Sequence, residues 1–361
     1  MPEKLKNILI PDEQVFKLAQ EIQSVYPEFD SERFTSEVLN ANWSKLELKQ
    51  KMRRLTVCLK NNLPEDYPRA LRILELISPQ FNSFMALSFS DFADCYGLEH
   101  WDISMNALAH FTSSCSSEFG VRPFLDHDPE RAMQHFYRWA DDENQHIRRL
   151  ASEGCRPRLP WGMALPKFKK NPKLILPILE KLKNDPEEYV RRSVANNLND
   201  ISKDHPELVL ELCEKWKGQS PEVDRIIKHA CRTMLKSGNK RALMLFGFAN
   251  PDQISISELS SDREKLKIGE SIFFSFKLNN KAAKSQKIRL EYRVHYVKSN
   301  GKKSPKIFQI SEGKFPPGEH TISKKQSFTD FSTRKHFAGE HRIEIVVNGE
   351  AKAEVKFWVE R

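Results

Sequence analysis

The sequence predicts a chain that is α-helical in its first 250 residues and β-stranded in the remainder. Apolar residues recur at helical spacing up to residue 250, whereas from residue 251 onward they alternate with polar residues, as strands require. The helical segments also repeat at a regular interval. A length of 361 residues is enough for about two domains. We therefore expect one domain at 1–250 and a second at 251–361.

The helical part contains an internal repeat. Segments such as PERAMQHFYRWA, PKLILPILEKL and PELVLELCEKW have helical spacing and begin with proline, which a first helical turn favours. When DPERAMQHFYRWADDENQHIRRLASEG is placed over NPKLILPILEKLKNDPEEYVRRSVANN, Asp142 aligns with Asp185 at an offset of 43 residues. The segment HPELVLELCEKWKGQSPEVDRIIKHACR is a weaker third copy. Paired helices at this period are typical of HEAT-like repeats, which stack into a solenoid with a concave face.

The second part predicts an immunoglobulin-like β-sandwich. Several short segments alternate β-branched or aromatic residues with polar ones, among them ESIFFSFKLNN, KIRLEYRVHYV, KIFQIS, HRIEIVVNG and AEVKFWVE. Asn300-Gly301 predicts a hairpin turn between two of them. The hairpin tip would carry Lys298, Lys302 and Lys303, and a second loop carries Arg334 and Lys335. These cations could serve DNA binding or only solubility.

The charge distribution favours a polyanionic partner. Of the 58 Lys and Arg residues, 22 lie from residue 251 onward, against 14 of the 49 Asp and Glu, so this part carries most of the net charge of +9. A basic domain beside a near-neutral one suggests nucleic acid. No apolar run approaches the roughly 20 residues that cross a bilayer, and no signal peptide is evident. We expect a cytoplasmic, nucleoid-associated monomer without membrane contact.

Cysteine and histidine spacing predicts neither a metal nor a cofactor. The six cysteines are scattered without a Cys-x-x-Cys pair, so a zinc ribbon and a disulfide framework are both disfavoured. We expect buried, reduced thiols. A Gly-rich phosphate loop and a serine nucleophile elbow are also absent from the sequence.

The repeat register proposes a site. Glu118 and Trp161 are 43 residues apart, so they occupy equivalent positions after the second helices of neighbouring repeats. Glu153 aligns with Asn196 at the same offset, and Asp200 follows Asn196 by one helical turn on the same face. The three carboxylates and the tryptophan could therefore converge on the concave surface.

Carboxylates on a phosphate-binding surface weaken DNA binding, but they suit a cationic group. A base alkylated on a ring nitrogen is cationic, and its departure leaves an oxocarbenium-like sugar that carboxylates stabilise. A tryptophan can stack on the base with a cation–π contribution. Two structural alternatives remain open at this point. Glu153 could simply pair with Arg149 or Arg156, and Trp161 could be a packing anchor behind Pro160.

Three stretches resemble the DNA alkylation-repair glycosylases of the AlkC/AlkD superfamily: EHWDISMNALAHFTSSCSSEFGVRPFL, HIRRLASEGCRPRLPWG and YVRRSVANNLNDISKDHPELV. The chain is more similar to the AlkC branch, in which an immunoglobulin-like domain follows HEAT-like repeats. The AlkD branch has Trp-Asp-x-x-Asp where this chain has WDISM, so Met105 replaces the second acid. A later tryptophan of that branch aligns with Asn196. The resemblance therefore does not carry over the AlkD manner of handling a lesion without flipping it.

The resemblance implies a monofunctional glycosylase that removes N3-methyladenine and N3-methylcytosine from double-stranded DNA. On this basis we assign catalysis to Glu118, Glu153 and Asp200, and substrate binding to Trp161 and Asn196. Candidate DNA contacts are Arg149, Arg156, Lys170, Arg192, Lys298, Asn300, Lys302 and Lys303. Two other classes remain possible: a non-catalytic HEAT-repeat scaffold for an acidic protein, and a structure-specific DNA-binding protein.

Overall fold

The computed structural model describes residues 10–331 and 335–361, and in these ranges sixteen α-helices precede eight β-strands. Arg334, predicted in a basic loop, lies outside the described residues. The chain divides into two compact units. The first contains the described residues up to Val209 together with Trp216–Ala230. The second contains Leu210–Lys215 and the described residues from Cys231 onward.

Seven helices precede the repeats: α1 (Asp12–Val25), α2 (Ser31–Val38), α3 (Leu48–Asn62), α4 (Tyr67–Ile77), α5 (Leu87–Tyr96), α6 (Trp101–Phe111) and α7 (Arg122–His127). The first six share a core that is rich in fully buried aromatic rings, including Phe34, Phe89 and Phe92. Local capping fixes where helices begin, as at α4, where the Asp66 side chain accepts a hydrogen bond from the Arg69 backbone N–H.

The repeats follow as α8 (Pro129–Trp139), α9 (Gln145–Glu153), α10 (Pro166–Lys170), α11 (Leu176–Leu182), α12 (Glu188–Ile201), α13 (Pro206–Trp216) and α14 (Pro221–Ala230). The second helices α9 and α12 begin 43 residues apart, which confirms the predicted register. One prediction is wrong: Pro172 does not begin a helix, and α11 starts at Leu176. Pro177 cannot follow a helix begun at 172, because its ring would clash with the carbonyl four residues earlier.

The turns of the two repeats are built in the same way. Arg148 Nη1 donates to the backbone carbonyls of Asp142 and Glu143, at 2.9 and 2.7 Å. One repeat later, Arg191 Nη1 donates to the carbonyls of Asp185 and Pro186, at 2.6 and 2.7 Å. The first arginine of each Arg-Arg pair therefore fastens the turn of its own repeat, and its role is structural.

The second unit contains α15 (Arg232–Lys236), α16 (Lys240–Leu245) and strands β1 (Ile254–Ser261), β2 (Lys265–Lys267), β3 (Ser271–Asn280), β4 (Gln286–Val297), β5 (Lys303–Phe315), β6 (Gly318–Ser327), β7 (Gly339–Val347) and β8 (Glu350–Glu360). One sheet has the order β1–β3–β6 and the other β2–β8–β7–β4–β5. Their inward residues form one core, with Phe274, Phe276 and Phe328 buried. The predicted immunoglobulin-like sandwich is confirmed.

The short helices α15 and α16 belong to the same compact unit as the strands. The segment after α16 is bonded to the sheet: Ala249 N–H donates to the Lys287 carbonyl at 3.0 Å, and Asn348 Nδ2 donates to the Ala249 carbonyl at 2.8 Å. Apart from Leu210–Lys215, the second compact unit begins at Cys231, whereas the periodicity of the sequence changes at 251.

All six cysteines are free thiols. Four are buried as predicted, but Cys95 and Cys115 are only partly buried. Burial still raises the pKa of Cys95 to about 12 and that of Cys115 to about 11, so neither is a reactive thiolate.

Among the helices that the structure describes, none is both long enough and apolar enough to cross a membrane.

Candidate active site

Three carboxylates and two arginines alternate in one connected cluster, which we call the carboxylate cluster: Glu118, Arg149, Glu153, Arg156 and Asp200. Glu118, in the loop between α6 and α7, accepts hydrogen bonds from Arg149 Nη1 and from Ser116 Oγ, the latter at 2.6 Å. Arg149 lies on α9, and its Nη2 is 3.4 Å from Glu153 Oε1. One guanidinium therefore links the first two carboxylates.

Glu153 ends α9 and is 5% exposed. Its Oε1 accepts a hydrogen bond from Arg156 Nη1 at 2.6 Å, and its Oε2 accepts one from Ser193 Oγ on α12 at 2.7 Å. Ser193 is itself held by Ser152, whose hydroxyl donates to it at 2.7 Å. Both carboxylate oxygens are therefore fixed in direction by side chains from α9, α12 and the loop after α9.

Asp200 lies near the end of α12 and is 2% exposed. Its Oδ2 accepts a hydrogen bond from Arg156 Nε at 2.8 Å, and its Oδ1 accepts one from Lys203 Nζ at 3.1 Å. Arg156 thus bridges Glu153 and Asp200. Burial acts to lower the pKa of Arg156, but the two carboxylates outweigh it and leave this pKa above its ordinary value.

The structure agrees in part with the predicted convergence of the three carboxylates and in part with the alternative in which Glu153 only pairs with an arginine. Glu153 does pair with Arg149 and Arg156, as the alternative expects. The same arginines bring three carboxylates close together that would otherwise repel one another. Arg149, Arg156 and Lys203 together contact the three carboxylates, so each acid in the cluster is held by a cation. Arg156, which we expected to contact phosphate, is 6% exposed and holds carboxylates instead.

Trp161 is 69% exposed, in contrast to the nearly buried Glu153 and Asp200. An indole this exposed does not act as a packing anchor. Its φ of 63° is in the left-handed region, which costs a side-chain-bearing residue roughly 1–3 kcal/mol and is typical of functional sites. Lys49 Nζ donates to the Trp161 carbonyl and also lies 5.0 Å from the centre of the Phe119 ring. Lys49 therefore links Trp161 to Phe119, the residue that follows Glu118.

The loop between Glu153 and Trp161 is held by Arg122, a residue that the sequence analysis did not single out. Arg122 is 1% exposed and donates to the backbone carbonyls of Gly154, Arg156 and Met163, the first two at 2.9 and 3.0 Å. Burial lowers the pKa of Arg122 to about 10, so the side chain is still a cation at neutral pH.

Arg192 lines the next cleft along the repeats, between α12 and α14, and Asn196 contacts His229, which lines the same cleft. Asn196 Oδ1 is 2.9 Å from His229 Nε2 on α14. Arg192 is exposed and lines this cleft together with further charged residues: Glu188, Arg191, Glu222 and Arg225. We call this second cleft the arginine cleft.

The remaining predicted DNA contacts are on the surface. Lys170 is exposed at the end of α10. Strands β4 and β5 form the predicted hairpin, and Gly301, with a φ of 74°, closes its turn by donating to the Lys298 carbonyl at 2.9 Å. Asn300 Oδ1 accepts from the Lys302 backbone N–H at 3.1 Å. Lys298 and Lys302 are exposed, whereas Lys303 pairs with Glu340 at 2.7 Å.

Several residues of the site were missed because the sequence gives little signal for them. Ser116, Ser193 and Lys49 are common residue types whose roles depend on contacts 33 to 112 positions away along the chain. Arg122 could have been noticed, since it stands beside Glu118 in a resembling stretch. In the part of the chain that the structure describes, His, Cys, Asp and Glu form no group of three that could hold a metal ion.

Comparison with known proteins agrees with this architecture. The family of DNA alkylation repair enzymes matches residues 94–240, and the C-terminal Ig-like domain of the uncharacterised protein YhaZ matches residues 255–361. YhaZ of Bacillus subtilis (strain 168) is 44% identical over 349 residues, which cover 96% of this chain and 97% of that protein. Pseudomonas fluorescens alkylpurine DNA glycosylase AlkC, solved bound to DNA containing an abasic site analogue, is 38% identical with a TM-score of 0.94. That match covers 99% of this chain and 100% of the AlkC chain.

The fold and the carboxylate cluster define a helical-repeat protein with a C-terminal Ig-like domain and a cluster of carboxylates between its repeats. The chain belongs to the family of DNA alkylation repair enzymes that carry the YhaZ-type C-terminal domain.

Proposed function

We propose that this protein is a monofunctional DNA glycosylase acting on cationic alkylated bases in duplex DNA, with N3-methyladenine and N3-methylcytosine as its substrates. The observation that carries the proposal is the carboxylate cluster, in which three acids are brought together and held in fixed directions by two arginines and Lys203. Its similarity to AlkC, which was solved with an abasic-site analogue in DNA, supports the same reaction class.

The chemistry requires little more than electrostatic stabilisation. In a base alkylated on a ring nitrogen, the bond from C1′ to the base breaks with its electron pair moving to the base, which leaves neutral. Positive charge then develops on the sugar, and a nearby fixed carboxylate stabilises it. Water attacks C1′ and loses its proton to a carboxylate. Because the alkylated base is already positively charged before the bond breaks, the reaction needs no general acid.

We assign the carboxylate roles from their surroundings. Glu153 and Asp200 share Arg156 and are nearly buried, so they present preorganised negative charge to the sugar and to the attacking water. Glu118 is the most accessible of the three, with 16% of its side chain exposed, and is placed to meet the cationic base. Trp161 offers an exposed indole face for stacking.

We propose that DNA is bound chiefly through its phosphates. Arg192 and Lys170 are exposed cations of the helical unit, and Lys298 and Lys302 are exposed at the hairpin tip of the sandwich. Each phosphate contact adds salt-dependent affinity without reading sequence. Deleting the 298–302 turn residues should therefore weaken DNA binding and flatten its salt dependence, whereas unchanged binding and excision would remove the hairpin from the proposal.

The test of the proposal is release of free base from duplex DNA that contains defined lesions. Purified protein is incubated with duplexes carrying N3-methyladenine, N3-methylcytosine or N7-methylguanine, and with the matching single strands. We expect free N3-methyl bases and an abasic strand that stays intact until it is treated with alkali. Strand cleavage without alkali would contradict the monofunctional assignment.

A protein that binds these duplexes and releases no base would overturn the glycosylase proposal. That outcome would identify it as a DNA-binding protein whose carboxylate cluster is structural.

A further inference from the structure

Arg122 is the most deeply buried arginine near the carboxylate cluster, and its hydrogen bonds are to main-chain atoms. Its Nη1 donates to the Gly154 carbonyl, its Nη2 to the Arg156 carbonyl, and its Nε to the Met163 carbonyl. Gly154 and Arg156 begin the loop that follows α9, and Met163 lies near the end of that loop. One side chain from α7 therefore joins both arms of the loop.

The two arms of this loop carry different parts of the proposed site. The first arm starts directly after Glu153 and includes Arg156, whose side chain bridges Glu153 and Asp200. The second arm carries Trp161 in its left-handed conformation. The planar fork of five N–H donors on an arginine can span three carbonyls in fixed directions, which a lysine ammonium cannot reproduce.

The packing around this fork is close. A Cβ atom added at Gly162 would lie 2.9 Å from Leu159 Cδ2 and 3.3 Å from Arg122 Cδ, so the loop turns back directly over the arginine side chain. Leu165 N–H also donates to the Pro157 carbonyl at 3.2 Å, which closes the loop at its base. The loop is therefore a compact unit built around the Arg122 side chain.

We propose that Arg122 is a positioning residue, which fixes the distance between the carboxylates of the cluster and the indole of Trp161 by joining the two arms of the loop 154–163. This inference rests on the proposed glycosylase function. Arg122 does not touch the substrate. It acts by holding the backbone of Arg156, whose side chain binds Glu153 and Asp200. The two carboxylates are thereby kept at a fixed distance from the indole of Trp161. A small displacement in such a site can slow the chemical step by about 100-fold.

The experiment compares Arg122→Lys with a matched control, Arg148→Lys. Arg148 is partly buried and likewise donates to loop carbonyls, those of Asp142 and Glu143, but it is outside the loop 154–163. For each protein we would measure the melting temperature, the affinity for duplex DNA with an abasic-site analogue, and the single-turnover rate of base release at a temperature where all are folded.

We expect Arg122→Lys to lower the single-turnover rate by about 10- to 100-fold, with the abasic-DNA affinity within about threefold of wild type. Arg148→Lys should lower the melting temperature by a similar amount and keep the wild-type rate. If Arg122→Lys and Arg148→Lys excise at the same rate while folded, the positioning role is wrong. If wild type releases no base, the proposed function fails first, and the two failures are distinguishable.

A second variant covers the case in which Arg122→Lys does not fold. Gly162→Ala keeps the arginine and pushes its new methyl group toward Arg122 and Leu159, displacing the Trp161 arm by a few tenths of an ångström. We expect a folded protein with a slower single-turnover rate. A wild-type rate for folded Gly162→Ala would contradict the proposal.

Discussion

The carboxylate cluster and the arginine cleft are built on equivalent positions of successive repeats, yet the side chains at these positions make different contacts. Arg148 and Arg191 correspond and make the same turn-fastening hydrogen bonds. Their neighbours also correspond but differ, since Arg149 is tied to Glu118 and Glu153, whereas Arg192 is exposed. The repeat thus fixes the backbone structure, and the positions at which the two repeats differ are the candidates for functional residues.

The second departure is at the acid itself. Glu153 occupies the position that Asn196 occupies one repeat later, so a carboxylate in the first cleft is replaced by an amide in the second. An amide cannot stabilise a developing cation as a carboxylate does. We infer that the carboxylate cluster carries the chemistry and that the arginine cleft contacts the DNA backbone.

The largest effect is expected for Asp200→Asn. The substitution preserves size and removes the charge that Arg156 and Lys203 contact, so the single-turnover rate of base release should fall by about 100- to 1000-fold. Affinity for abasic-site DNA, measured in parallel, should change little. A folded Asp200→Asn variant that excises at the wild-type rate would remove Asp200 from the catalytic set.

The equivalent arginines should respond differently to alanine. Arg149→Ala leaves two poorly exposed carboxylates without their shared cation, so the free energy of unfolding should fall by about 3 kcal/mol. Arg192→Ala removes an exposed side chain and should change it by less than about 0.5 kcal/mol. Urea denaturation measures both.

DNA binding should distinguish the same two positions. Arg192→Ala should lower the slope of log affinity against log salt concentration by about one, as expected for one lost phosphate contact. Equal stability losses for the two variants, or an unchanged salt slope for Arg192→Ala, would contradict the contrast between the clefts.

Trp161→Ala should affect DNA and leave the fold intact. Because the indole is exposed, stability should stay within about 0.5 kcal/mol of wild type. Loss of base stacking should weaken binding to lesion-containing duplex by about 1–3 kcal/mol. Trp161→Phe keeps an aromatic face and should recover part of this affinity. A loss of stability in Trp161→Ala without a change in binding would instead mark the residue as a packing element.

Asp91 and Asp94 are two neighbouring acids that both pair with Arg53. Burial and the neighbouring Asp91 raise the pKa of Asp94 to about 6, against the opposing effects of Arg53 and Lys49. A raised carboxyl pKa means that the folded state holds the proton more tightly than the unfolded chain. The stability this gives is complete below about pH 4 and is lost as the pH rises through 6.

Asp94→Asn should therefore be more stable than wild type at pH 7.5, by about 1–2 kcal/mol, and equally stable at pH 4. Urea denaturation at the two pH values measures the difference. A stability difference that does not depend on pH would show that folding does not raise the pKa of Asp94.

The sequence predicted the frame better than the contacts. The 43-residue register, the helices and the sandwich follow from local periodicity, and the structure confirms them. Strand β6 was missed because its segment, GEHTISKKQS, lies at a sheet edge with mostly exposed residues and so lacks apolar alternation. Periodicity is visible only where one face of an element is buried.

At the candidate site, the sequence indicated which residues could meet but not how they are paired. The register predicted that Glu118, Glu153 and Asp200 converge, and they do belong to one cluster. It did not predict that Arg156 would be buried between two of them, because burial depends on the path of the loop after α9. Arg122 was missed for the same reason, since its partners are backbone carbonyls that carry no sequence signature.

The central claim is that Glu153 is catalytic and not simply one member of a buried ion pair. The most direct test compares single-turnover base release by wild type, Glu153→Gln and Asp185→Asn. Asp185 is a suitable control, because it is also buried and pairs with an arginine, Arg148, at 2.6 Å. We predict that Glu153→Gln binds lesion DNA and releases base at least about 100-fold more slowly, while folded Asp185→Asn keeps the wild-type rate. Equal rates for the two variants would contradict the claim and leave Glu153 as a structural residue.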